Sequence, residues 1–296
     1  MIPYIEIPSL EITEQIQLHP FGFLVGSAII VGTSLFTRRT RDLGLDERVA
    51  ADLALWAVVP GFIVAHLYSI IFYFPERVVE DPLVLLKFWD GISSFGGFIG
   101  GTLGVIYYLK RHRIPVLPYA EALTWAFTIA WILGRMGCTI AHDHPGLPTT
   151  FFLAPNFPTT ADFPAGPRHD LGFYEFLWAL VMGGFFYLQR HKTRFAGWHI
   201  AVVLICYTPV RFLFDYLRTA DEKYLGLTPG QYGAIGFFVL AVFIYALQSR
   251  SDHVLVPNGE IHVLPDGKPA YQPQPATGST SRSGAGNKSK GRKKKR

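Results

Sequence analysis

Cysteines and charged side chains are both scarce in this sequence, and each scarcity limits the kind of protein it encodes. Its two cysteines, Cys138 and Cys206, fall in or beside apolar runs, so we expect no disulfide framework. Charged residues make up only 17% of a chain that is half apolar, which argues against two water-soluble domains. The first twenty residues contain three glutamates and no basic cluster, so we expect no cleavable secretory signal there.

Long apolar runs make up much of the sequence. A helix needs roughly 20 apolar residues to cross the hydrocarbon layer of a bilayer. About seven runs of this kind occur, near residues 20–37, 53–75, 91–109, 116–140, 171–189, 197–217 and 229–248. They predict an all-α polytopic membrane protein with about seven transmembrane helices.

Basic residues cluster in alternate connections between these runs. They lie at 37–41, 110–113, 189–194 and from 248 onward, whereas 76–90, 142–170 and 218–228 contain few. The positive-inside rule therefore predicts an outside N-terminus and a cytoplasmic C-terminus. We divide the chain into an extracytoplasmic segment 1–19, a transmembrane domain 20–248 and a disordered basic cytoplasmic tail 249–296.

The tail ends in "GRKKKR", which is suited to anionic lipid headgroups or serves only to set the topology. No folded basic surface accompanies it. We therefore expect membrane lipids, and no nucleic acid, among the partners of the protein.

Ionisable residues inside the apolar runs are candidates for function because lipid penalises them. They are His66, Glu121, Arg135, Glu175, and Arg211 with Asp215. Arg211 and Asp215 are four residues apart and share a helical face, which Arg218 continues. This pattern predicts a net positive site in which guanidinium groups bind a lipid phosphate. The alternative is that the arginines form internal ion pairs.

Acid–base groups follow Arg135 at the outer end of the fourth run. His142 and His144 flank Asp143, and a carboxylate beside an imidazole raises its basicity. These three residues with His169 also suit zinc, and Cys138 suits a nucleophile or a packed core position. The spacing is not a specific zinc signature, so we expect no metal and no cofactor.

Glycines recur every four residues in the third run, at Gly96, Gly100 and Gly104, with Gly97 beside them. Such a face lets another helix approach closely, or forms a rigid wall for a substrate.

Four segments together resemble the prolipoprotein diacylglyceryl transferase family over roughly residues 18–248. They are "DPLVLLKFWDGISSFGGFIGG" (81–101), "GRMGCTIAHDHPG" (134–146), "PRHDLGFYE" (167–175) and "RFLFDYLRTADEKYLGLTPGQ" (211–231). The resemblance implies transfer of a diacylglyceryl group from phosphatidylglycerol to the lipobox cysteine of a preprolipoprotein, forming a thioether in the bacterial cytoplasmic (inner) membrane.

The resemblance and the charge pattern together assign the candidate site. The catalytic candidates are Arg135, His142, Asp143, His144 and Arg211. The substrate-binding candidates are Arg135, Arg211, Arg218, Asp215, His169, Tyr174, Glu175, Gly96, Gly97 and His66.

The chain departs from the family pattern mainly in its acid–base groups. Phe95 stands where the family has a histidine, Cys138 where it has an asparagine, and His66 where it has an arginine. We expect His142 or His144, oriented by Asp143, to serve as the base instead. The alternatives are another phospholipid-headgroup transferase or hydrolase, and a non-catalytic lipid- or metal-binding membrane protein.

Overall fold

The computed structural model describes residues 2–5, 7–8, 10–13, 16–87, 91–161, 163–219, 223–250 and 254–255. Most of the predicted tail, and the Phe88–Asp90 part of the first family segment, lie outside the described residues.

Within this described part, seven helices of at least 18 residues occur where the apolar runs predict them. They are α1 (Pro20–Asp42), α2 (Arg48–Tyr73), α4 (Ser94–Arg111), α5 (Val116–Ala141), α6 (Leu171–Leu188), α7 (Trp198–Asp215) and α8 (Pro229–Gln248), with a short α3 (Pro75–Glu80) after α2 and a 3-10 turn at Pro82–Leu86. All except α4 are both long and apolar enough to cross a membrane. The mostly helical, polytopic membrane fold is thereby confirmed, whereas the orientation of the termini and the domain boundaries stay predictions.

Short strands occupy the connections. They are β1 (Leu10–Thr13), β2 (Ile16–Leu18), β3 (Pro145–Pro148), β4 (Asn156–Phe157), β5 (Gly166–Asp170), β6 (Arg194–Phe195) and β7 (Val254–Leu255). β5 lies between β3 and β4, antiparallel to both, and leads directly into α6. We call the end of the bundle that carries this sheet the outer end, after the predicted topology.

Glycines set the distance between α4 and α2. A Cβ at Gly100 would lie 2.3 Å from the carbonyl oxygen of Pro60, and one at Gly104 would lie 2.0 Å from that of Trp56. Gly96 meets α2 in the same way, 2.6 Å from the carbonyl oxygen of Val64. The glycine face therefore lets α4 pack closely against α2, which is the first of the two interpretations of this face.

The apolar core lies at the other end of the bundle, away from the sheet. Phe36, Leu53, Leu109, Ala126 and Phe186 have no exposed surface there and bring α1, α2, α4, α5 and α6 together. Burying large apolar side chains contributes about 1.5–3 kcal/mol each, so this end holds the bundle while the outer end carries polar groups.

One buried polar group reinforces the core end. The carboxylate of Glu121 accepts hydrogen bonds from the backbone N–H groups of Gly197 and His199, at 3.1 and 2.8 Å, and lies 2.7 Å from Nδ1 of His199. Because the first N–H groups of a helix have no partner within it, this carboxylate fixes the start of α7 to α5.

Candidate functional site

Three helices bring buried charged groups together near the outer end. Arg135 lies in the last turns of α5, Glu175 near the start of α6, and Arg211 near the end of α7. The Glu175 carboxylate lies 2.6 Å from a terminal nitrogen of Arg135 and 3.0 Å from one of Arg211. All three side chains are at least 93% buried. We call this set the arginine cluster.

Asp215 completes the charge balance of the cluster. Its Oδ1 lies 2.9 Å from Nη2 of Arg211, which is the pairing that their four-residue spacing predicts. Glu175 from α6 balances the second arginine, while the predicted net positive site, which also counts Arg218, stays a prediction. The two guanidinium groups face two carboxylates, as in the alternative of internal ion pairs.

Each arginine nevertheless has one N–H group that makes no hydrogen bond within the described part of the chain. The Nε–H groups of Arg135 and Arg211 are buried and find no hydrogen-bond partner among the described residues. A buried donor left unsatisfied costs about 1–3 kcal/mol. These two N–H groups are left for an acceptor that the described residues do not supply; Arg39 and Arg194 have buried Nε–H groups of the same kind elsewhere in the bundle.

Aromatic side chains surround the guanidinium groups. The Arg135 guanidinium lies 5.1 Å from the ring centre of Trp131 and 3.4 Å from the Tyr207 hydroxyl. Phe95 faces Arg211 at 5.9 Å. The position that holds the family histidine thus lies beside the cluster, but here it presents an apolar ring. Sequence reasoning did not find Tyr207, because a tyrosine in an apolar run carries no distinguishing signal.

A hydrogen bond ties the cluster to α8. The Thr228 hydroxyl donates to Oδ2 of Asp215 at 2.6 Å and also accepts from the backbone N–H of Gln231. The Gln231 side chain accepts in turn from the Thr228 backbone N–H, which makes a capping box. Gly230 leaves room for Asp215, since a Cβ there would lie 2.2 Å from Oδ2.

His142 and His144 have different carboxylate partners. His142 ends α5 in the left-handed conformation, with φ 49°, and its Nδ1 lies 2.6 Å from Oδ2 of the buried Asp170. His144 instead contacts Asp143. The expectation that Asp143 orients either histidine therefore holds for His144, while Asp170 orients His142.

The neighbours of His142 act on its pKa in opposite directions. Burial lowers it, but the hydrogen bond and the negative charge of Asp170 outweigh burial, so the pKa lies above its usual value. The ring also stacks on Tyr4 at 4.2 Å, which places the N-terminal segment over it. The imidazole of His142 is therefore partly covered at the outer end.

Cys138 connects the acid–base residues to the arginine cluster. Its Sγ lies 3.9 Å from Nη1 of Arg135, and ligand atoms of Cys138, Asp143 and His144 lie within 4.8 Å of one another. His144, rather than His142, is thus the histidine that the structure brings beside the cluster.

The remaining candidates lie around this centre. Nδ1 of His169 lies 3.0 Å from the Tyr174 hydroxyl, and burial lowers the His169 pKa. The backbone of Arg218 pairs with Gly146 at the edge of β3. These residues therefore lie at the outer end of the bundle.

His66 and the glycines of α4 have other described contacts. The two ring nitrogens of His66 lie 3.1 and 3.0 Å from the carbonyl oxygens of Gly91 and Val84, which fixes the connection between α3 and α4. Gly96 packs against α2, and a Cβ at Gly97 would lie 3.8 Å from that of Ala65. Their substrate-binding roles stay predictions.

The match to a known family covers the whole bundle. The model of the prolipoprotein diacylglyceryl transferase family matches residues 9–247, which include every residue of the arginine cluster. The chain belongs to this family.

Named relatives agree with this assignment. Phosphatidylglycerol–prolipoprotein diacylglyceryl transferase 2 of Clostridium perfringens is 26% identical over 233 residues, which cover 78% of this chain and 91% of the relative. The phosphatidylglycerol–prolipoprotein diacylglyceryl transferase of Synechococcus elongatus is 29% identical over 266 residues, covering 84% and 91%. The family is one of transferases, and the helices make this member a multi-pass membrane protein.

Proposed function

We propose that this protein transfers the diacylglyceryl group of phosphatidylglycerol to the thiol of a lipobox cysteine in a preprolipoprotein. The family and the names of its relatives support this reaction. The observation that carries it is the pair of buried, unsatisfied Nε–H donors of Arg135 and Arg211 in the bundle of a membrane protein. We place the protein in the bacterial cytoplasmic membrane, with this end outside.

The phosphate of the lipid is the acceptor that suits those donors. Guanidinium groups bind phosphate through parallel N–H bonds, and in a dry site each bond is stronger than in water. Glu175 holds the two guanidinium groups apart and in place. When the phosphodiester binds, its oxygens satisfy the Nε–H groups, and the same donors stabilise the charge that grows on the leaving phosphate.

The outer end supplies the base. The acceptor thiol must lose its proton before its sulfur attacks the glycerol carbon, because the thiolate is the nucleophile. We assign proton acceptance to Nε2 of His142, since Asp170 holds Nδ1 and makes the imidazole more basic; Nε2 lies 3.3 Å from the carbonyl oxygen of Ile5 and must leave that contact to take the proton. The carbon–oxygen bond then breaks, its electron pair leaves with the phosphate, and the products are a thioether and glycerol phosphate.

Expression in bacteria depleted of their own transferase tests the proposal. The wild-type chain is expected to attach lipid to a reporter lipoprotein, measured as the mass of the reporter. Arg135→Lys keeps the charge but loses the planar fork of donors. It is expected to lower the rate about 10²–10³-fold, which is the usual effect of removing one transition-state donor.

Arg41→Gln is the matched control, because Arg41 is an exposed arginine at the far end of α1 that pairs with Glu47. It is expected to leave the rate unchanged. A wild-type chain that inserts normally but leaves the reporter without lipid would refute the proposal. Release of glycerol phosphate without a peptide acceptor would replace it with a phospholipid hydrolase.

A further inference from the structure

Three side chains of different chemistry converge at the outer end of α5. The helix ends at Ala141, and the left-handed conformation of His142 turns the chain back on itself. This turn brings Asp143 and His144 against Cys138, so that one ligand atom of each lies within 4.8 Å of the others. The expectation of no metal rests on the sequence spacing, which does not show that these three residues converge.

The three donors form a ligand set typical of zinc. Cysteine sulfur, histidine nitrogen and aspartate oxygen bind Zn²⁺ at about 2.0–2.3 Å in a tetrahedron, so neighbouring donors lie about 3.3–3.8 Å apart. To reach that geometry the more distant donors need to approach one another, and the His144 nitrogen needs to separate from the Asp143 oxygen that it contacts. The side chains of Asp143 and His144 are 35% and 25% exposed, and the contact between them is the one that an ion would replace. A sulfur donor also disfavours Mg²⁺ and Ca²⁺.

The charges around the three residues permit a dication. Arg135 lies 3.9 Å from the Cys138 sulfur, but Glu175 pairs with it at 2.6 Å. Arg211 likewise pairs with Asp215. A Cys138 thiolate and the Asp143 carboxylate would balance the two charges of the ion; because the carboxylate is charged before binding, zinc binding with loss of the thiol proton adds one positive charge to the site.

We propose that Cys138, Asp143 and His144 bind Zn²⁺ and that the thiol of the acceptor cysteine takes its fourth position. Catalytic zinc sites keep three protein ligands and one open position, and a thiol that coordinates zinc loses its proton. This inference rests on the proposed function: the thiol proton is released to water, and the bound sulfur attacks the glycerol carbon as the phosphate leaves with the electron pair of the broken bond. Zinc undergoes no redox change.

Metal binding by the purified full-length chain tests the site directly. The wild-type protein is expected to hold about one zinc ion per chain by elemental analysis, and Co²⁺ in its place should give a thiolate-to-cobalt charge-transfer band. Cys138→Ser should abolish the band and weaken zinc binding at least tenfold, and Asp143→Asn should weaken it as well. Thermal unfolding of each variant checks that it is folded.

The second cysteine provides the matched control. Cys206 is half-buried in α7, so Cys206→Ser is expected to keep both the zinc and the charge-transfer band. The inference is overturned if wild-type protein and Cys138→Ser hold the same amount of zinc, or if Cys206→Ser loses the band.

Activity separates this inference from the proposed function. If chelated, zinc-free protein attaches lipid at the full rate, the zinc inference fails and the proposed function stands. If the zinc-loaded protein binds Co²⁺ as expected but transfers no lipid, the site stands as a zinc site and the proposed function fails.

Discussion

Glu175 holds the arginine cluster together, and its replacement by glutamine gives the most direct measure of what the cluster contributes. The carboxylate pairs with Arg135 at 2.6 Å and with Arg211 at 3.0 Å, and only 2% of the side chain is exposed. Glu175→Gln keeps the volume but removes both ion pairs. It leaves two buried guanidinium groups with Asp215 as the one carboxylate of the cluster.

The expected cost follows from this burial. Removing one partner of a buried ion pair destabilises a protein by about 3–5 kcal/mol, because the remaining charge is left uncompensated. The glutamine oxygen still accepts one hydrogen bond, so we expect the lower end of that range. At about 2–4 °C per kcal/mol for a domain of this size, the unfolding temperature should fall by roughly 6–12 °C.

A phosphate ligand should restore part of the loss. Glycerol phosphate carries negative charge into the cluster, so it should raise the unfolding temperature of Glu175→Gln more than that of the wild type. The assay is thermal unfolding in detergent, followed by tryptophan fluorescence with and without glycerol phosphate. The exposed Glu80 provides the control Glu80→Gln. Equal unfolding temperatures for Glu175→Gln and wild type, or equal stabilisation by glycerol phosphate, would refute the reasoning.

Three further substitutions test the packing, the base and the link to α8. Gly104→Val should lower the unfolding temperature by the equivalent of about 3 kcal/mol, since a Cβ would lie 2.0 Å from a backbone oxygen of α2, whereas Gly26→Ala, where a Cβ meets nothing within 4 Å, should not. Asp170→Asn should lower the pKa of His142. Because the base acts in its neutral form, the acid limb of the pH–rate profile should then move to lower pH. An acid limb that does not move excludes His142 as the base. Thr228→Ala should cost about 1–2 kcal/mol of unfolding free energy through the lost cap and should also slow lipid transfer; unchanged stability would contradict the capping box.

The helices were predictable from the sequence because each apolar run is long enough to form one. The pairing of Arg211 with Asp215 was equally accessible, since residues four apart on a helix are neighbours. Contacts between residues of different helices were not predictable from the sequence. That Glu175 lies between two arginines depends on how α5, α6 and α7 pack, which no local pattern encodes.

The partners of the acid–base residues were also not predictable, although these residues are adjacent in the sequence. His142, Asp143 and His144 are consecutive, yet a left-handed residue at the end of α5 directs them to different partners. A non-glycine residue seldom adopts this conformation, so the sequence carried no signal for it. Asp170 pairs with His142 from 28 residues away because β5 lies beside β3, and only the sheet reveals that contact.

The hydrogen bond from Thr228 to Asp215 links the beginning of α8 to Arg211, the proposed phosphate ligand. Asp215 divides its carboxylate between Arg211 and the capping hydroxyl, so a phosphate that draws on Arg211 changes the acceptor strength left for Thr228. Thermodynamic linkage makes this coupling reciprocal: whatever tightens the first turn of α8 also alters the affinity of Arg211 for the headgroup. On the proposed function, lipids or proteins that contact the start of the last transmembrane helix therefore change the affinity for the headgroup without entering the site.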